Sequence, residues 1–261
     1  MTAPFNFTDR DLQAAKGLLA LAPTSPGEPM LVLTDEEIVA LDGLQHDQLA
    51  PTPWLDATIA KGVASRELLS EVAMRGLVAR GILVAPTDGD GVIHLRSTDP
   101  TIPGVLMLRR TSSAFVQLKV VTAAAESYFF GYVFPDEGAA LHEVIDPTGM
   151  HFFTLSTIDA LVDTVTAILN PFGVEGSEGS TVSYTADQLK AKPGLFTGAE
   201  VVSHVGIAHQ NRRIGANFVS YAGKHSLTVL TPVAQSFEVT ASSGTHLRRL
   251  IADGLATRPS R

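Results

Sequence analysis

The chain has 261 residues, 45% apolar and 18% charged, with a formal net charge of −8. That length buries a sizeable core without crosslinks, and the apolar content excludes disorder as the dominant state. The absence of cysteine excludes disulfides, thiolate nucleophiles and zinc–thiolate sites, and the acidic balance argues against a surface built to neutralise phosphate.

In chain order, the spacing predicts a first helix from Asp9 to about Leu21. Thr8 and Asp11 form a capping box, Phe7 can staple onto Leu12, and Leu12, Ala15, Leu18 and Leu19 share a face. Met30–Leu33 reads as a short strand, and Thr34 with Glu37 repeats the capping box ahead of Ile38 and Leu41. Residues 45–56, which hold Pro51 and Pro53, read as irregular. A helix then follows Ser65, with Leu68, Leu69, Val72, Leu77 and Val78 as its apolar face and Gly81 at its end. Strands at 82–85 and 92–95 flank the turn 86–91 (PTDGDG), so this region reads as a helix followed by a β-hairpin.

From Val105 onward the pattern changes. Strand-like runs occupy 115–122, 127–134, 140–146 and 150–155, and Ser156 with Asp159 opens a helix carrying Ile158, Leu161, Val162, Val165, Ile168 and Leu169 on one face. After a connector at 173–181 the order recurs: strands at 200–208, 214–221, 226–231 and 236–241, then a helix from Ser243 to Leu255 with Leu247, Leu250 and Ile251 inward. An offset of 86 residues sets Leu141 on Leu227, Val144 on Leu230, Phe153 on Val239, Leu161 on Leu247 and Val165 on Ile251. The expected class is α+β: an antiparallel sheet from two quasi-repeated ββββα units, related by a near two-fold rotation, with flanking helices and an N-terminal helical segment. The expected segments are 1–100, 101–172 and 182–257, joined in one compact domain.

No phosphate-binding, dinucleotide-binding, zincin or nucleophile-elbow motif is present, so no catalytic, cofactor or metal residue is assigned. His142 and His151 on adjacent strands, with Glu143 and Asp146 near them, are the one set that could assemble a metal or acid–base site. His204 and His209 are five apart on one strand and so face opposite ways. Asp88-Gly89-Asp90-Gly91 lacks the remaining ligands of a calcium loop, and the pairs Arg109-Arg110, Arg212-Arg213 and Arg248-Arg249 read as solvated. The helix–hairpin at 65–95 also fits a winged-helix DNA reader, against which stand Asp88 and Asp90 in its turn.

Strand 127–134 is apolar on both faces, which suits a central strand; its Tyr128, Phe130, Tyr132 and Phe134 are the alternative candidate, a partner-binding surface. The expected function is a non-enzymatic protein-binding module, with an enzyme of unrecognised site or a DNA-binding protein as alternatives. Without a signal-like amino terminus or an apolar run of membrane-spanning length, the expected location is the cytoplasm, with no membrane partner.

The segments 30–41 (MLVLTDEEIVAL) and 75–83 (RGLVARGIL), with the helices at 156–169 (STIDALVDTVTAIL) and 243–255 (SGTHLRRLIADGL), give the chain a further feature. In them, and in the order of its elements, it resembles the EspG family, cytosolic chaperones associated with type VII secretion in actinobacteria. The resemblance is one of pattern over most of the chain, and it departs at the proline-rich stretch 45–56 and at the helix-first amino terminus. It implies an antiparallel sheet with quasi-two-fold halves and a protein that holds a helical secretion substrate. It carries no binding residue over to this sequence.

Overall fold

The computed structural model describes residues 8–24, 26–44, 47–84, 96–175, 179–210 and 214–256. Among them the elements run α1 (Asp9–Leu19), β1 (Leu31–Thr34), α2 (Asp35–Asp42), α3 (Pro53–Ala60), α4 (Arg66–Ala79), β2 (Leu83–Val84), β3 (Arg96–Ser97) and α5 (Thr101–Thr111). There follow β4 (Ala114–Thr122), β5 (Glu126–Phe134), β6 (Ala139–Ile145), β7 (Met150–Thr157) and α6 (Ile158–Leu169). The last are β8 (Thr181–Tyr184), α7 (Ala186–Lys190), β9 (Val201–His209), β10 (Ile214–Gly223), β11 (Ser226–Val233), β12 (Ser236–Ala241) and α8 (Gly244–Leu255). Helices and antiparallel strands in separate stretches make the fold α+β.

The chain divides into two compact units, Met1–Thr111 with Leu141–Leu155, and Ser112–Ala140 with Ser156–Arg261. The hairpin at 141–155 groups with the amino-terminal region. In the first unit β1 lies beside β7, pairing Leu31 with Phe153 and Thr34 with Met150, and β6 follows β7. Thr8 and Thr34 cap α1 and α2 through the two capping boxes read from the sequence. Helix α1 packs on α5. Gly104 allows the approach, since a Cβ there would lie 2.8 Å from the Leu18 side chain and 3.2 Å from the Ala14 backbone.

Two elements of this unit escaped the sequence reading. Helix α3 begins at Pro53, inside the stretch read as irregular; proline is suited to a helix's first turn, where its missing N–H loses nothing. Helix α5 has Pro103 in its first turn for the same reason, and its paired arginines lie at its end. The expected hairpin after α4 is present as two rungs, Leu83 with Ser97 and Val84 with Arg96; its turn and the strand expected at 92–95 lie outside the described residues. So do the Phe7 staple and Arg212-Arg213.

In the second unit the strand order is β5-β4-β9-β10-β11-β12-β8. Strands β4 and β9 pair antiparallel from Ala114 with His209 to Thr122 with Val201. One face carries a core of Val116, Leu118, Phe129, Val133, Val205, Ile207, Phe218, Leu227 and Val229, covered by Leu161 and Val165 of α6 and by Leu247 and Ile251 of α8. Helix α6 lies on β5 and β10; α8 lies on β4, β9 and β10 and also packs against α6. Gly131 on β5 lets α6 approach, as a Cβ there would overlap the Leu161 side chain at 2.4 Å. Beyond the connector, the four-residue β8 pairs with β12 from Thr181 with Thr240 to Tyr184 with Phe237.

Helices α6 and α8 are offset by 86 at both ends, Ile158 to Gly244 and Leu169 to Leu255. Their caps, Thr157 and Ser243, stand at the same offset. The strands do not keep that register. Ala114–Thr122 and Val201–His209 are offset by 87, and it is Ala140, not Leu141, that joins Leu227 in the core. Successive strand residues face opposite ways, so a slip of one residue exchanges the faces.

Candidate functional site

The residues singled out around His151 form a buried charge network in the first unit. His151 on β7 lies between two carboxylates: its Nδ1 is 2.6 Å from Glu143 Oε1, and its Nε2 is 2.8 Å from Asp35 Oδ1. Arg109 Nε on α5 donates to Glu143 Oε2 at 3.0 Å, and its Nη1 lies 3.7 Å from Asp42 Oδ2. Arg110 Nε donates to Asp42 Oδ1 at 2.8 Å. Arg80, the residue that caps the end of α4, pairs with Glu37 of α2. Apart from Arg110 and the Arg80–Glu37 pair, these groups are at most 2% exposed.

Charge balance decides the state of His151. Asp35, Asp42 and Glu143 supply three negative charges and Arg109 and Arg110 two positive ones, so an imidazolium leaves these six groups neutral. Burial favours the neutral ring, but hydrogen bonds to Asp35 and Glu143 and the attraction of Glu143 outweigh it, even against Arg109, and hold the His151 pKa above its ordinary value. Asp35 has a second task. Its Oδ2 accepts from the backbone N–H groups of Trp54 at 2.8 Å and Leu55 at 2.9 Å. Those are two of the free donors at the start of α3, which Thr52 does not cap. The network therefore fixes α2, α3, α5 and the β6–β7 hairpin to one another.

This arrangement leaves neither ring nitrogen of His151 open. Both ring nitrogens of His151 are bonded to carboxylates inside the protein, and a general base must reach the proton it removes. His142 faces away from Glu143, its neighbour in the strand, and burial pushes its pKa down to about 4. Asp146 sits in the β6–β7 turn, where it accepts from Thr148 and Met150. Among the described residues no group of three metal-ligating side chains is assembled. Arg109-Arg110 was expected to be solvated and is instead part of the buried network, a correction the sequence could not supply because its acidic partners are distant in the chain. Arg248 pairs with Asp163 at 2.8 Å, joining α8 to α6. His204 is exposed, and the buried His209 lies 3.0 Å from the Gly254 carbonyl oxygen.

The aromatic strand also differs from the open surface considered for it. Phe130, Tyr132 and Phe134 are 4%, 1% and 6% exposed, and Tyr128 is half-buried. A strand buried on both faces needs no polar–apolar alternation, which is why its pattern resembled a binding face.

The open apolar surface lies on α4. Its buried residues are Ser70, Ala73 and Leu77, and it packs against α2. Leu68, Val72 and Val78, expected inward, are 54%, 57% and 39% exposed. Two of the three inner residues, Ser70 and Ala73, are small, and the larger Leu68 and Val72 lie outside. Other residues of α4, namely Glu67, Ser70, Glu71, Met74 and Arg75, line a groove of about 430 Å³ together with Ala40 and Leu44. A second groove, of about 610 Å³, shares Leu44 and continues along Asp47, Gln48, Leu49 and Thr52 to Arg66.

Compared with known protein families and with curated proteins, the chain matches none.

Proposed function

We propose that the protein is a non-enzymatic protein-binding module that holds a helical segment of a partner against α4, in the manner of a cytosolic chaperone for a secreted helical protein. The single observation behind this reading is that α4 exposes Leu68 and Val72 to water while other residues of the same helix, Met74 among them, line a groove. Water-exposed aliphatic side chains next to a concave apolar surface suit an amphipathic helix, which buries residues at i, i+3, i+4 and i+7. The resemblance to EspG chaperones in 30–41 and 75–83 points the same way, and these segments lie in or beside α2 and α4. Among the described residues no helix is long and apolar enough to cross a membrane.

The test is affinity purification of the full chain from its native host, beside a Leu68→Asp, Val72→Asp variant. The reading expects one polypeptide recovered in stoichiometric amount with the unaltered chain and absent from the variant, whose melting temperature is unchanged. Equal recovery with both chains, or no polypeptide with either, would overturn it.

A further inference from the structure

The groove beside α4 has a charge pattern as well as an apolar floor. Glu67 and Glu71 stand one helical turn apart on the α4 rim, and Asp47 is on the second groove. All three are exposed and carry no ion pair among the described residues. Hydrogen bonds to the backbone and to Ser65 at the start of α4 hold the Glu67 carboxyl below its ordinary range, so it is ionised at neutral pH. Of the two cations on these grooves, Arg66 pairs with Asp56 at 3.0 Å and also attracts Glu67, so the two arginines face four carboxylates, Asp47, Asp56, Glu67 and Glu71. Leu44 and Leu49 are exposed on these grooves, and Leu68 and Val72 are exposed elsewhere on α4.

We propose that the occupant of this groove is an amphipathic helix whose apolar stripe is flanked by lysine or arginine. This rests on the docking reading above and gives it a chemistry. Apolar burial against Leu44, Leu49 and Met74 of the grooves, extended over the exposed Leu68 and Val72 of α4, supplies the affinity. Glu67 and Glu71 set orientation and choose between partners, because rim charges contribute mainly to steering and to rejection of like charge. Gln48 offers a further contact. Its carboxamide nitrogen and oxygen are both buried and without a hydrogen-bond partner, on a groove where a helix end would bring free backbone groups.

Two designed helical peptides of about 18 residues, with the same leucine stripe and either lysine or glutamate flanks, serve as probes. Binding to the full chain is measured by fluorescence anisotropy of the labelled peptides. The lysine peptide is expected to bind at least about tenfold tighter than the glutamate peptide, and less tightly as salt rises. Glu67→Lys with Glu71→Lys should reverse the preference. Asp136→Lys with Glu137→Lys, an equal change of net charge on the exposed β5–β6 turn, should leave it standing. If the first pair of reversals leaves the preference intact, or the second abolishes it, the charge assignment is overturned while docking on α4 survives. Failure of both peptides to bind, or binding unaffected by Leu68→Asp with Val72→Asp, overturns the docking reading as well.

Discussion

His151 ties a single proton to the stability of the first unit. Its pKa is raised above the ordinary 6.5 in the folded chain, so the folded state holds the proton more tightly than the unfolded state. The resulting stability is fully present below about pH 6.5 and is lost as pH rises through the folded value. Urea unfolding of the full chain against His151→Gln should therefore show its largest difference below pH 6.5, shrinking as pH rises through the folded value. A difference that grows with pH would contradict the imidazolium. Glu143→Gln should cost about 3–5 kcal/mol at neutral pH, as expected when one partner of a buried ionic group is removed.

His142 has the opposite sign. Its folded pKa is about 4 against 6.5, so stability is intact above pH 6.5 and is lost as pH falls towards 4. His142→Leu should flatten that part of the acid limb, an effect on the order of 3 kcal/mol over the window. Gln48 provides a test without a pH term. Gln48→Met removes an unsatisfied buried amide at nearly constant volume and should raise stability by about 1–3 kcal/mol, read as a higher urea midpoint.

At the scale of elements, α4 is the sharpest case. Leu77 is fully buried whereas Leu68 and Val72 face water, so Leu77→Asp should cost several kcal/mol while Leu68→Asp stays within about 0.5 kcal/mol. Thermal melts of the two variants distinguish them, and comparable losses would place Leu68 inside. In the second unit Leu161 and Leu247 are both fully buried in the shared core, and aspartate at either should cost several kcal/mol.

Much of the element order was legible because local signals agreed. The capping boxes at Thr8 and Thr34, the turns at 135–138 and 146–149, and the amphipathic helices 158–169 and 244–255 all depend on neighbours in sequence. What was not legible depends on burial. Strands β5 and β6 are buried on both faces over most of their length, so their apolar residues carry no phase, and the register slip between 86 and 87 is silent in the pattern. The inner face of α4 holds Ser70 and Ala73, which hydropathy ranks below the exposed Leu68 and Val72. The charge network joins Asp35, Arg109 and His151 from distant parts of the chain, and only Glu143 and His151 had been set together.

For the whole molecule, the net charge of −8 and the exposed carboxylates of α4 suit a basic helical partner more than nucleic acid. The two units divide the work: one encloses the ionic network and bears the grooves, and the other builds its core between a seven-strand array and two helices. The claim that α4 is a docking face is tested most directly by hydrogen exchange of the full chain with and without the partner recovered from its host. Slowed exchange concentrated in residues 37–44 and 66–79, with α6 and α8 unchanged, is the result this account predicts. Slowing confined to the second unit, with α2 and α4 unaffected, would contradict it.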